Sequence, residues 1–371
     1  MKKIILLLTV LSFAVGAHAQ QLTAAQKAAA AAASTTAPVQ EAKPAPAPKP
    51  KKPTNWKTSL RNQINFGQTT LTNWAAGGDN TVTLQAFVDG NANYSKGGMF
   101  WNNRLQLDYG FTYASSKPIL QKSNDRIYFE SKWGLRMEKA KKVYFSANYD
   151  FRSQFSNTFS YPTPSAPKDA PEGWEPKRKD WLNAKKIKSG FFAPAYTNLG
   201  LGIDMNPFKW VSINFAPLTG GFVVVRDKAL RANYGMGLKE EYEGVDKSTL
   251  NAEELEKYEA AMSSGDARKM SRFEFGAQLK ANFALKVNDN VNYTSQLVLF
   301  SNYLKNPQNL RVNWDNKLDW KLAKYFSLTV TTNLIYDDNV LIWSEKDNLK
   351  RQRVQFKEAV LLGFTYTIAG K

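Results

Sequence analysis

The chain has 371 residues, with 50 Lys and Arg against 32 Asp and Glu, a formal charge of +18, one His and no Cys. Lacking Cys, it has no disulfide framework and no thiol chemistry, and a lone imidazole at His18 leaves zinc sites and Ser-His-Asp hydrolysis without their usual groups. A mean hydropathy of −0.45 beside 13% aromatic residues excludes a transmembrane helix, because no apolar run of about twenty residues follows the first segment; it suits strands that alternate apolar and polar side chains.

Lys2 and Lys3, the apolar run Ile4 to Val15 and Ala17-His18-Ala19 read as a secretory signal peptide over residues 1–19. Its removal takes the charge to +16 and leaves neither His nor Cys. With no Cys after the cleavage site, lipoprotein anchoring is excluded. Residues 20–54 form an Ala/Pro/Lys-rich leader, with an Ala run from Ala24 to Ala33 and Pro and Lys alternating from Pro44 to Pro53. That composition predicts a disordered periplasmic tether with a polyproline II stretch.

From about Asn55 the pattern turns to period two. Trp101, Leu105, Leu107, Tyr109, Phe111 and Tyr113 alternate with Asn102, Arg104, Gln106, Asp108, Gly110 and Thr112, and the same holds around Phe273 to Leu285 and Leu310 to Leu322. Successive strand residues point to opposite faces, so one face is apolar and the other charged. These runs are about twice the usual five or six residues of a soluble strand, the length a tilted bilayer crossing needs. Twelve segments are predicted: 56–71, 81–95, 99–115, 124–138, 142–158, 190–205, 208–226, 269–287, 291–304, 309–323, 325–337 and 352–368. Connections after the even segments are short, such as Lys96-Gly97-Gly98 and Asn288-Asp289-Asn290; those after the odd ones are mostly long, including 159–189, 227–268 and 338–351. An even count with short turns on one side and long loops on the other predicts a closed, antiparallel up-and-down transmembrane β-barrel over residues 55–371, its turns in the periplasm and its long loops outside the cell.

Trp56, Trp74, Trp101, Trp133, Trp210, Trp320 and Tyr325 fall at predicted strand ends, where interfacial girdles form. Trp174, Trp181 and Trp343 fall in long loops, where they either pack the loop or contact an extracellular partner. The charged face of the early strands carries Arg104, Asp108, Glu130, Lys132, Arg136, Asp150 and Arg152. That of the later strands carries Arg272, Glu274, Lys280, Arg311, Asp315, Lys317, Asp319, Lys321, Arg353 and Lys357. Such charges either pair into a network that fills the lumen or line a water-filled pore, and because basic groups outnumber acidic ones a pore should favour anions. Acidic pairs such as Asp315 with Asp319 sit among Lys and Arg, the wrong setting for a catalytic acid, so no enzyme, metal or cofactor is expected.

Loop 227–268 holds ten acidic and six basic residues, loop 159–189 seven basic and four acidic, so the two either fold over each other as a lid through opposite charge or move independently. Within the former, Asn251 and Glu254 form a capping box for a helix from about Ala252 to Met262. Glu358 interrupts the apolar face of the last segment and should lie near an interface or under a partner. The first outer turn contains Trp74, Gly77, Gly78, Asp79 and Asn80; the two glycines permit positive φ there. With the signal peptide and Pro/Ala/Lys leader, this Asn-Trp-Ala-Ala-Gly-Gly-Asp-Asn turn resembles a family of Bacteroidota-type outer-membrane barrels of unknown function. The resemblance implies fold and compartment, and no activity at particular residues.

The expected role is porin-like passage of small anionic solutes, the alternative a non-conducting accessory subunit of an outer-membrane assembly, secretion or surface complex. Expected partners are outer-membrane lipid and lipopolysaccharide, the barrel assembly machinery during biogenesis, and periplasmic or outer-membrane proteins. Behind a signal peptide the positive charge is not expected to meet nucleic acid.

Overall fold

The computed structural model describes residues 54–69, 80–138, 142–344 and 349–370. The predicted signal and leader segments fall outside these, as do Trp74, Gly77, Gly78 and Asp79 of the first turn.

Twelve strands close into one antiparallel barrel. The first five are β1 (Trp56–Thr69), β2 (Thr81–Lys96), β3 (Met99–Ala114), β4 (Lys117–Arg136) and β5 (Val143–Ser153). The ring continues with β8 (Ala195–Phe208), β9 (Val211–Val224), β10 (Ser271–Lys286), β11 (Val291–Asn302), β12 (Leu310–Lys321), β13 (Phe326–Tyr336) and β16 (Gln355–Gly370). β16 closes on β1 in a register running from Thr58↔Gly370 to Phe66↔Leu362, which leaves no open edge for another chain to pair with. The short pairs β6 (Thr158–Ser160) with β7 (Lys186–Ser189) and β14 (Leu341–Ser344) with β15 (Leu349–Gln352) belong to loops, as do helices α1 (Arg178–Ala184) and α2 (Ala252–Ser264).

The side-chain distribution is inside out. Ile64, Leu84 and Phe273 on the outer surface are 57%, 52% and 52% exposed, whereas Lys280, Glu274 and Asn148 on the inner one are each 1% exposed. That arrangement is stable only where the outer solvent is hydrocarbon, since a closed barrel satisfies its backbone without water. Aromatic side chains gather beside the short turns: Trp56 packs on Tyr94 and Trp101, Phe208 stacks on Trp210 at 5.2 Å, and Tyr325 meets Phe364 and Tyr366. Rings with polar tips settle at the boundary between hydrocarbon and head groups.

Several strand boundaries differ from the sequence pattern: β5 ends at Ser153 and β8 begins at Ala195, each five residues inside its predicted limit, and two further differences move a hairpin. β4 begins at Lys117, seven residues before the predicted start, because register shifts at Gly110/Phe111 and Tyr113/Ala114 let the β3–β4 hairpin continue beyond the alternating region. The β8–β9 turn falls at Lys209-Trp210 and not Asn206-Pro207, because an irregularity between Met205 and Phe208 extends β8. Glu358 faces outward opposite Thr332, which accepts a hydrogen bond from the Asn316 amide at 3.2 Å, so a short polar row crosses the apolar surface there.

Candidate functional site

The inner wall is built by every second residue of each strand, so its chemistry follows from strand parity. Near the end that carries the long loops Glu274 of β10 lies between Arg272, at 2.9 Å, and Arg311 of β12; Arg311 also lies 3.4 Å from Asp337. Lower down, the fully buried Lys280 of β10 reaches across to Glu130 of β4 at 3.1 Å and Asp150 of β5 at 3.5 Å, with the Tyr128 hydroxyl donating to Glu130 at 2.9 Å. Below that, Lys132 bonds Asp204 of β8 at 2.6 Å and the Ser212 hydroxyl at 3.2 Å. These pairs join β4 and β5 to β8 and β10 across the lumen.

A cavity of about 790 Å³ is lined by Asn93, Asn206 and Ala284 near the short turns and by Asp125, Gln154 and Lys357 near the loops. Arg126 of β4 and Asp315 of β12, which stand on opposite sides of the ring, approach to 3.7 Å across it. Beside the cavity Arg104 is bidentate to Asp89 at 2.6 and 2.9 Å, and Arg61 is bidentate to Asp319 at 2.8 and 3.0 Å. Lys317 lies 3.4 Å from Asp319 and 4.7 Å above the Phe87 ring, Asp108 accepts from Gln85 at 2.7 Å, and Lys357 donates to Asn124 and, at 3.2 Å, to the Ser123 carbonyl. Arg152 makes no ion pair among the described residues; its guanidinium lies 5.9 Å from the Tyr128 ring, which Arg126 also overlies at 4.9 Å.

Three charges expected in the lumen lie at or beyond strand ends: Arg136 and Lys321 are exposed beside the short turns, and Arg353 falls between β15 and β16. Arg61, Asp89, Arg126, Asp204 and Asp337 do belong to the network and went unnoticed in the sequence. Alternation places the four on strands inside; what concealed them is that Phe87 and Tyr128 also face inward and blur the polar face. The cavity lining, with Arg126 and Asp204 in it, holds six basic and five acidic residues, so the basic excess of the sequence pattern is largely neutralised.

The loops cover part of the mouth. Ala193, Val225, Leu230 and Met236 form a small buried cluster against which Ile187 and Tyr234 pack. Arg231 donates to the carbonyls of Val225 at 3.3 Å and Arg268 at 3.0 Å, and Arg272 of the barrel donates to the Gly235 carbonyl at 2.8 Å. The Tyr234 hydroxyl reaches the Lys188 carbonyl at 3.2 Å, and burial pushes its pKa up to about 12. The two long loops thus meet, but through apolar and main-chain contacts; pairing of opposite charges between them is replaced by ion pairs within one loop, such as Lys228–Asp266 and Lys247–Glu259. α2 starts at the expected box, Asn251 accepting from the Glu254 amide at 2.9 Å, and ends at Gly265 with φ 82°.

Trp181, on α1, is 4% exposed with Lys117 of β4 5.2 Å from its ring, so it packs the loop against β4 and is not free for contact with a partner. Trp174 is half-buried, and Trp343 lies in β14. Asn80 is the described member of the first turn; its carbonyl accepts from Ser115 at 2.9 Å.

An apolar outer surface, a closed ring of twelve long strands and a polar, ion-paired interior define an outer-membrane β-barrel protein. Residues 66–159 match a family profile described as "Protein of unknown function (DUF3078)". No curated protein matches the chain. Among solved structures the chain is similar to the translocator domain of autotransporter NalP from Neisseria meningitidis, at 8% identity over 95% of this chain and 97% of that one, with a TM-score of 0.33. It is similar also to an outer-membrane channel from Pseudomonas putida F1, at 11% identity over 88% and 100%, TM-score 0.34. The Pseudomonas putida toluene transporter TodX matches at 9% identity over 87% and 89%, TM-score 0.31.

Proposed function

We propose that the barrel passes small polar solutes across the outer membrane, with anions favoured. The observation that carries this reading is the cavity of about 790 Å³, whose polar lining extends from the periplasmic turns to the loops. Walls of amide, hydroxyl and charged groups exchange hydrogen bonds with a hydrated solute, and the Arg126–Asp315 approach acts as the narrow point. Arg152, without a carboxylate partner among the described residues, supplies the residual attraction for anions.

A second reading, a non-conducting accessory subunit, is favoured by the Lys280 and Glu274 ion-pair clusters and by the loop cluster over the mouth. Planar-bilayer recording separates the two. The passage reading expects steady steps of current with a reversal potential displaced toward anions in a KCl gradient. A correctly folded barrel that stays silent would refute it and leave the accessory role.

A further inference from the structure

The charges outside the lumen are distributed unevenly. At the end that carries the short turns, the exposed charged residues among those described are Lys57, Lys96, Arg136, Lys142, Lys209, Lys286, Lys321 and Lys324 against only Glu138 and Asp289, eight basic to two acidic. At the other end the two long loops together are nearly balanced, fourteen acidic to thirteen basic over 159–189 and 227–268. Solvation alone asks for charge at both ends and does not ask for one sign at one end.

Position gives the sign its meaning. Lys57 follows Trp56, Lys96 lies two residues from Tyr94, Lys209 sits between Phe208 and Trp210, Lys321 follows Trp320 and Lys324 precedes Tyr325. Those rings form the interfacial girdle on this side, and girdle rings lie at head-group level. The neighbouring ammonium groups therefore lie at the depth of lipid phosphates, within reach of a side chain that extends toward the interface. The ammonium groups of Lys57, Lys96, Lys209 and Lys321 have no hydrogen bond or ion pair among the described residues. Lys286 is partly answered by Asp289 at 2.6 Å, whose carboxyl it holds below the usual range, and Lys142 by the Pro207 carbonyl at 2.6 Å.

We infer that this rim is a cationic collar that binds anionic phospholipid head groups of the periplasmic leaflet. Its ligand is a glycerophospholipid with a net negative phosphodiester, in the leaflet opposite the lipopolysaccharide. The collar anchors the barrel at a defined depth, and it stands whether or not the lumen conducts.

The test uses the full chain purified in a neutral detergent, with phosphatidylglycerol or phosphatidylcholine added in mixed micelles and retained lipid counted by native mass spectrometry. Phosphatidylglycerol should be retained at least about tenfold over phosphatidylcholine, since each basic group near an anionic surface adds a comparable increment, and salt should reduce the preference. The variant Lys96→Gln/Lys209→Gln/Lys321→Gln/Lys324→Gln should lose it. A control with Lys168→Gln/Lys177→Gln/Lys179→Gln/Lys186→Gln, on the loop side, should keep it. Equal retention of the two lipids by the unmodified chain, or equal loss in collar variant and control, overturns the inference. If the fourfold variant does not fold, the pairs Lys96→Gln/Lys209→Gln and Lys321→Gln/Lys324→Gln must each lower the preference, and no change in either overturns it as well.

Discussion

Replacing Lys280 by Met tests whether the cluster around it is a true ion-pair lattice. Its ammonium is 1% exposed and lies 3.1 Å from Glu130 and 3.5 Å from Asp150. At such separations and an effective dielectric of about 20, each attraction is on the order of 5 kcal/mol before desolvation is subtracted. Methionine fills most of the volume but leaves two carboxylates facing each other without a cation, so Lys280→Met is expected to lower unfolding free energy by about 3–5 kcal/mol. The triple variant Lys280→Met/Glu130→Gln/Asp150→Asn removes the stranded charges together and should recover most of that loss, because a buried pair gains little over a neutral replacement. The assay is urea unfolding of the barrel in lipid vesicles, followed by tryptophan fluorescence at equilibrium. A cost below about 1 kcal/mol for the single variant, the size of an exposed pair, would show that water reaches the cluster and that the lattice is not closed.

Other consequences can be checked separately. Arg126→Ala removes the charged bridge to Asp315 across the cavity; larger single-channel current with weaker anion preference is expected, and unchanged current would place the narrow point elsewhere. Gly202→Ala sets a methyl group against the Phe215 carbonyl at the β8–β9 irregularity, with an expected loss of about 1–3 kcal/mol in the same unfolding assay; a neutral result would mean that the two strands can part there. Tyr234 has its pKa raised from the ordinary 10.0 to about 12 by burial. The folded loop therefore keeps the phenol neutral while the unfolded loop ionises first, and its stability is intact below pH 10 and declines from there toward 12. Hydrogen exchange over residues 225–240 should accelerate between pH 8 and pH 11 beyond the intrinsic rate, and Tyr234→Phe should abolish that excess. An equal excess in the Phe variant would remove Tyr234 from the explanation.

Strand number, antiparallel order and the sidedness of the loops were legible in the sequence because each rests on a local signal: period-two alternation, and the contrast between turns such as Lys96-Gly97-Gly98 and the loop 227–268. The capping box at Asn251 and Glu254 was legible for the same reason, since it spans only three residues. Alternation also assigned Glu130, Asp150 and Lys280 to the inner face. It could not say that they meet, because Lys280 and Glu130 are 150 residues apart and their contact depends on ring closure and on the stagger between strands. The charge balance of the cavity escaped for a related reason. Asp89 and Arg126 share their face with Phe87 and Tyr128, and only the folded ring shows cations resting on inward aromatic rings. How the long loops meet, through Leu230, Met236 and Tyr234 and not through their opposite charges, likewise depended on tertiary packing. Net charge describes a segment as a whole, whereas the contact is decided by which few side chains lose their water.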